Sequence, residues 1–169
     1  MNLLSFVHLR NIHGSTGAGR VARQLTEHLA QCEGMNIRIL ADAGDHRKIV
    51  PRVGTPWTKF RYCLFPDDTS HQQFQWLLTH RPKAESFWEE ADIVHCTMES
   101  YVPRRRCRLV TTLHDAAYFE KDAHARGWAA TRQRWKWRGR YSALSRNADM
   151  FHTVSEFSAD RLGTFFPAI

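Results

Sequence analysis

No apolar run in this chain approaches the ~20 residues that cross a bilayer, which excludes a membrane-spanning helix. There are no internal repeats and no low-complexity tracts, so a solenoid or a disordered linker is excluded too. Cysteine is sparse. Cys32, Cys63, Cys96 and Cys107 form no C-x-x-C pair and follow no metal-ligand rhythm. They are expected to be reduced thiols of a cytoplasmic protein, with no metal site. The first residues, Met1 to His8, lack a basic start and a small-residue cleavage site, so no secretory signal is expected. Acids are outnumbered: 17 Asp and Glu face 24 Lys and Arg, for a net charge of +7 and a pI near 9.6. Arginine far exceeds lysine. Such a field favours phosphates, nucleic acid or an acidic membrane surface, without choosing among them.

At 169 residues the chain has the length of one domain, and 43% hydrophobic residues suffice for a real core. Strand-like runs recur at Leu3–Leu9, Asn36–Leu40, Phe60–Phe65, Ile93–Cys96, Arg108–Leu113 and Met150–Val154. Helical patterns lie between them. Val21, Leu25, His28 and Leu29 share one face of a helix ending near Gly34. Others are expected at Ser70–His80, Ser86–Ala91 and Gly127–Asn147, and a last one from Glu156, capped by Ser155. Gly44–Trp57, with two prolines and two glycines, reads as a loop of variable shape. Alternating strands and helices predict an α/β fold, a mostly parallel sheet wrapped by helices in three layers. The chain stops on Phe165-Phe166-Pro167-Ala168-Ile169 without a polar tail, as expected of a piece of something longer.

Two strand-like runs end in polar, titratable pairs: His114-Asp115 and Ser155-Glu156. In open α/β sheets ligands collect at the carboxyl ends of strands, so these pairs are candidates for a crevice site. His114 titrates near neutrality, and Asp115 beside it is able to orient a partner or stabilise positive charge. Ser155 and Glu156 have a structural account as a cap and its first-turn acid. Glu99, Ser100 and Tyr101 follow the Ile93–Cys96 strand and are expected at the same rim.

Gly14, Gly17 and Gly19 fall between the first strand and the first helix, where glycine lets a backbone approach a phosphate. Gly17-Ala18-Gly19-Arg20-Val21-Ala22 also fits G-x-G-x-x-[GA], with Asp42 twenty residues beyond Ala22 as the ribose-binding acid. The seven residues from Arg10 to Thr16 separate that motif from the strand, too many for the tight turn of a dinucleotide fold. The run Arg132 to Arg140 mixes bases with Trp135 and Trp137, as single-strand nucleic-acid binders do. Helical spacing instead makes Trp137, Tyr141, Leu144 and Ala148 a core face with solvated basic flanks. A second basic cluster lies at Arg104-Arg105-Arg106 and Arg108.

Together, Gly17-Ala18-Gly19-Arg20 at a helix head, Asp92-Ile93-Val94-His95, Val110-Thr111-Thr112-Leu113-His114-Asp115 and Ala148 to Ser158 resemble the N-terminal domain of group 1, family 4 GT-B glycosyltransferases. The resemblance spans nearly the whole chain. It implies a Rossmann-like domain over residues 1–169, the acceptor-side half of a two-domain fold whose nucleotide-sugar-binding C-terminal domain is absent from this chain. It implies sugar transfer of the hexosyltransferase type from a nucleotide sugar, with retention and with no metal or other cofactor. The acceptor would be a polysaccharide, a lipopolysaccharide or a lipid-linked glycan. His114 would contact the donor sugar at the reaction centre with Asp115 beside it. Gly17, Gly19 and Arg20 would lie near the donor diphosphate or the acceptor, and Glu99, Tyr101, Ser155 and Glu156 would border the cleft. A cytoplasmic location is expected, with peripheral contact to an anionic inner membrane face, and no nucleic-acid partner. A nicotinamide-dependent oxidoreductase domain and a non-enzymatic basic module for membrane or nucleic acid stay open as alternatives.

Overall fold

Alternation along the first strand sets up both layers of the core. In β1 (Asn2–Phe6) Leu3 faces one buried cluster while Leu4 and Phe6 face the other, as the period of two requires. The computed structural model describes residues 1–169 apart from 15, 67, 117–118, 120–127 and 168–169. After β1 come α1 (Leu9–His13), α2 (Gly17–Leu29), β2 (Asn36–Asp42), α3 (Ala43–Val53) and a 3-10 turn at Trp57–Lys59. Then follow β3 (Arg61–Phe65), α4 (Thr69–Thr79), α5 (Ala84–Phe87), β4 (Ile93–Cys96) and β5 (Arg108–Leu113). The described chain closes with α6 (Trp128–Asn147), β6 (Met150–Thr153) and α7 (Glu156–Phe165).

The six strands form one sheet in the order β3-β2-β1-β4-β5-β6, and every pairing is parallel. Phe6 pairs with both Leu40 and Cys96, and Leu113 with Thr153, so the carboxyl ends finish along a common edge. One face packs Leu4, Phe6, Val94, Leu109 and Leu113 against Trp76, Tyr141, Leu144 and Leu162. The opposite face packs Leu3, Ile37 and Ile39 against Leu9, Ile12, Val50 and Trp57. The expected Rossmann-like α/β architecture is present, with helices on both faces.

Several boundaries differ from expectation, each for a local reason. The first strand ends at Phe6 rather than Leu9, because Leu9 and Ile12 bury together on the short helix α1. The stretch from Arg10 to Thr16 is therefore partly helical. Gly44–Trp57 is not a loop. Asp42 caps α3 by accepting from the Asp45 amide at 2.7 Å, and Ile49, Val50 and Val53 give that helix an apolar side. Pro51 sits in its last turn, where one backbone bond is lost, and Gly54 at φ 76° ends it. The helix expected at Ser86–Ala91 is the single turn α5, two residues earlier. The first long helix stops at Leu29, with Gly34 at φ 73° turning the chain into β2. The expected start of α6 at Gly127, and the terminal Ala168 and Ile169, lie outside the described residues.

Candidate active site

Between β1 and β4 the strand order reverses direction, and at such a switch point the loops above the sheet separate and leave a crevice. Four strand ends surround it. His8 follows β1, Thr97–Ser100 follow β4, His114-Asp115 follow β5, and Ser155-Glu156 follow β6.

His8 is held over this crevice by a polar triangle. Its Nε2 lies 3.0 Å from the Ser100 Oγ and 3.0 Å from the Gln73 amide nitrogen of α4, which also donates to the Ser100 Oγ at 2.7 Å. An amide nitrogen only donates, so the His8 Nε2 accepts and its proton resides on Nδ1. Burial, reinforced by the nearby Arg140 charge and partly opposed by Asp42, lowers the His8 pKa to about 4. His8 is thus a neutral imidazole at physiological pH.

His114 is fixed at three atoms. Its backbone amide donates to the Glu99 Oε1 at 2.6 Å, and its carbonyl accepts from the Ser158 hydroxyl at 2.8 Å. Its Nε2 lies 3.2 Å from the Thr97 carbonyl, which only accepts, so Nε2 carries the proton and Nδ1 faces the other way. Glu99 is buried. Burial raises its pKa, the amide and charge of His114 oppose the rise, and Asp115 adds to it. Arg140 donates to the Glu99 carbonyl at 3.2 Å and stacks over the Trp137 ring at 4.7 Å. Asp115 is exposed beside His114, and its carbonyl accepts from the Tyr141 hydroxyl at 3.1 Å.

The remaining candidates divide. Ser155 caps α7, accepting from the Ser158 amide at 3.1 Å, and its hydroxyl reaches the Ser158 hydroxyl at 3.0 Å. The cap of α7 is thereby wired to the His114 carbonyl. Glu156 is exposed in the first turn of that helix. Tyr101 is turned away: it is 5% exposed, and its hydroxyl meets the His80 Nδ1 at 2.9 Å beyond the end of α4. Gly17 is open, with no atom within 4 Å of where a Cβ would stand, and Arg20 is exposed beyond it. Gly19 instead packs against the Asn11 carbonyl, and Asn11 reaches the Met98 sulfur at 2.8 Å, which ties the glycine segment to the loop after β4. Asp42, the ribose-binding acid of the dinucleotide alternative, is 3% exposed and committed to capping α3 and to the Thr69 hydroxyl at 2.9 Å.

His8, Gln73, Ser158 and Arg140 join the candidate site without having been selected from the sequence. His8 had a usable signal, since it follows its strand as His114 follows β5. Among the described residues, no group of three or more His, Cys, Asp or Glu is placed to hold a metal ion.

A family model described as Glycosyltransferase Family 4 matches residues 15–168. The chain belongs to that family. No curated protein and no solved structure gives a significant match. The domain is that of a glycosyltransferase, and sugar transfer develops positive charge at the anomeric carbon and negative charge on the leaving group. The crevice holds the rigidly anchored imidazole of His114, the neutral imidazole of His8, the carboxyl groups of Asp115 and Glu99, and the guanidinium of Arg140.

Proposed function

We propose that this domain is the acceptor-side half of a retaining glycosyltransferase that takes a hexose from a nucleotide-sugar donor, without a metal or other cofactor. The acceptor is a glycan, a lipopolysaccharide or a lipid-linked saccharide, in the service of glycan biosynthesis. The donor nucleotide belongs to a second domain facing the crevice. The observation that carries the reading is the three-point anchoring of His114 at the mouth of the switch-point crevice. An imidazole whose backbone and ring are all fixed keeps its Nδ1 side in one position, which is what orienting a sugar requires. Gly17 and Arg20 sit open at the head of α2, where a helix N-terminus and a guanidinium favour an anionic group. Glu156 and Asp115 supply acceptors for sugar hydroxyls, and Glu99 acts through the His114 amide. Peripheral contact with an anionic cytoplasmic membrane face belongs to the same reading, since the chain carries a charge of +7.

The decisive test is His114→Ala in the enzyme that supplies the donor-binding domain. The expected result is a fall in kcat on the order of 10²-fold with the fold intact. An unchanged kcat would return His114 to a purely structural role. The isolated chain is expected to turn over little and to bind nucleotide sugars weakly, which titration calorimetry checks directly.

A further inference from the structure

Helices α4 and α6 run side by side over one face of the sheet, and a groove of about 840 Å³ separates them. Its apolar lining is unusually open to water. Phe74 is 60% exposed, Leu78 65% and Trp135 74%. Phe74 and Leu78 stand one turn apart on α4, so they form a single stripe. Arg132, Lys136 and Arg146 line the same groove from α6, and among the described residues no acid lines it. None of these three cations forms a salt bridge with another described residue. Large apolar side chains left in water mark a surface made to be covered. Rimmed by these cations, they match the boundary of an acidic bilayer, where apolar groups enter the acyl edge and long basic chains reach the phosphates. No helix among the described residues is long and apolar enough to cross a membrane, so contact of this kind is peripheral.

We propose that the α4–α6 groove is a docking surface for an anionic phospholipid bilayer, with Phe74, Leu78 and Trp135 entering the interface and Arg132, Lys136 and Arg146 binding headgroup phosphates. The surface continues into the crevice. Arg140 lines the groove and also donates to the Glu99 carbonyl, so a docked domain presents its site to molecules held at the membrane. This deepens the acceptor reading above by making the acceptor lipid-linked, and it rests on that reading only there, because docking is measured without turnover.

The test is sedimentation of the chain with vesicles of phosphatidylcholine carrying a rising fraction of phosphatidylglycerol. Binding is expected to rise with phosphatidylglycerol and to fade with added salt. Combined Arg132→Glu, Lys136→Glu and Arg146→Glu is expected to weaken it at least about 100-fold, from ~1 kcal/mol per basic residue at the surface. The milder set Arg132→Gln, Lys136→Gln and Arg146→Gln guards against misfolding and is expected to weaken binding in the same direction. Phe74→Ser with Leu78→Ser and Trp135→Ser is expected to weaken it about tenfold or more with unchanged thermal unfolding, since all three are exposed. No binding to any vesicle, full binding by the charge-reversed protein, or binding only to inorganic phosphate or RNA would overturn the proposal. Docking is read without turnover, so native docking beside an unchanged kcat for His114→Ala upholds the surface and overturns the His114 reading alone.

Discussion

A Cβ placed on Gly19 would stand 1.9 Å from the carbonyl oxygen of Asn11 and 2.6 Å from its carbon. No side chain fits there, so the glycine exists to let α1 and α2 cross closely. Nearby Gly17 meets nothing within 4 Å. One motif thus contains a packing glycine and an open one.

Substitution separates the two. Gly19→Ala forces backbone apart and is expected to cost about 2–3 kcal/mol of stability, at the upper end for overpacking. Gly17→Ala at the first position of α2 is expected to fall within about 0.5 kcal/mol of the native protein, because alanine favours helix and has room. Urea unfolding with an unchanged slope measures both. Equal midpoints for Gly19→Ala and the native chain would mean that α1 and α2 do not cross as described.

Two histidines make stability depend on mild acid. Burial lowers His95 to about 4, with the His152 charge adding to it, and His8 is lowered to the same value. The Nε2 of His95 contacts the Thr112 hydroxyl at 3.0 Å, while its buried Nδ1 has no partner among the described residues. The unfolded chain takes up protons near 6.5 and the folded one only near 4, so stability is full above 6.5 and is lost as pH falls toward 4. Each histidine contributes a slope of up to about 1.4 kcal/mol per pH unit in that window. His95→Gln is expected to remove one such slope from a series of urea midpoints between about pH 7 and 4. A series that stays as steep would place the proton uptake elsewhere.

Glu85 acts in the same direction at lower pH. Its carboxylate accepts from the Arg105, Arg106 and Cys107 amides, Arg105 at 2.9 Å and Cys107 at 3.0 Å. Burial pushes its pKa up, but the Arg106, Cys107 and Arg105 amides outweigh burial and hold it at about 2. A depressed carboxyl stabilises the fold above its ordinary value of 4.5, and that contribution is lost as pH falls from there toward 2. Glu85→Ala strands three amides in front of β5 and is expected to cost on the order of 2–3 kcal/mol at neutral pH. Glu85→Gln keeps one acceptor and is expected to cost less. Thermal melts of the two variants check that order.

The strand ends were legible because a buried parallel strand is short and apolar and stops where polarity begins. His114-Asp115 and Ser155-Glu156 stood out for that reason, and the parallel sheet places both pairs on one edge. Composition hid α3, since Pro51, Gly44 and Gly54 look like loop residues until Asp42 is seen as a cap. The polar triangle was hidden by distance along the chain: His8 and Ser100 are 92 positions apart and His8 and Gln73 are 65 apart. Only the strand order brings them together. Tyr101 illustrates the converse, as its place just beyond β4 could not show that its ring turns into the core.

Ser158 is the hinge between α7 and the site. Its hydroxyl donates to the His114 carbonyl at 2.8 Å, while its amide donates to the Ser155 hydroxyl at 3.1 Å. Ser158→Ala removes the first bond and keeps the second, so α7 stays capped while His114 loses one of its three anchors, the one on its carbonyl. The expected result is a stability loss of only about 1 kcal/mol together with a fall in kcat of about tenfold and little change in KM, because a loosened imidazole costs positioning rather than binding. Ser155→Ala removes the cap and is expected to cost about 1 kcal/mol of stability with a smaller effect on kcat. Steady-state kinetics beside denaturation of the same two proteins decide the matter. A Ser158→Ala enzyme with native kcat would show that His114 needs no support from α7.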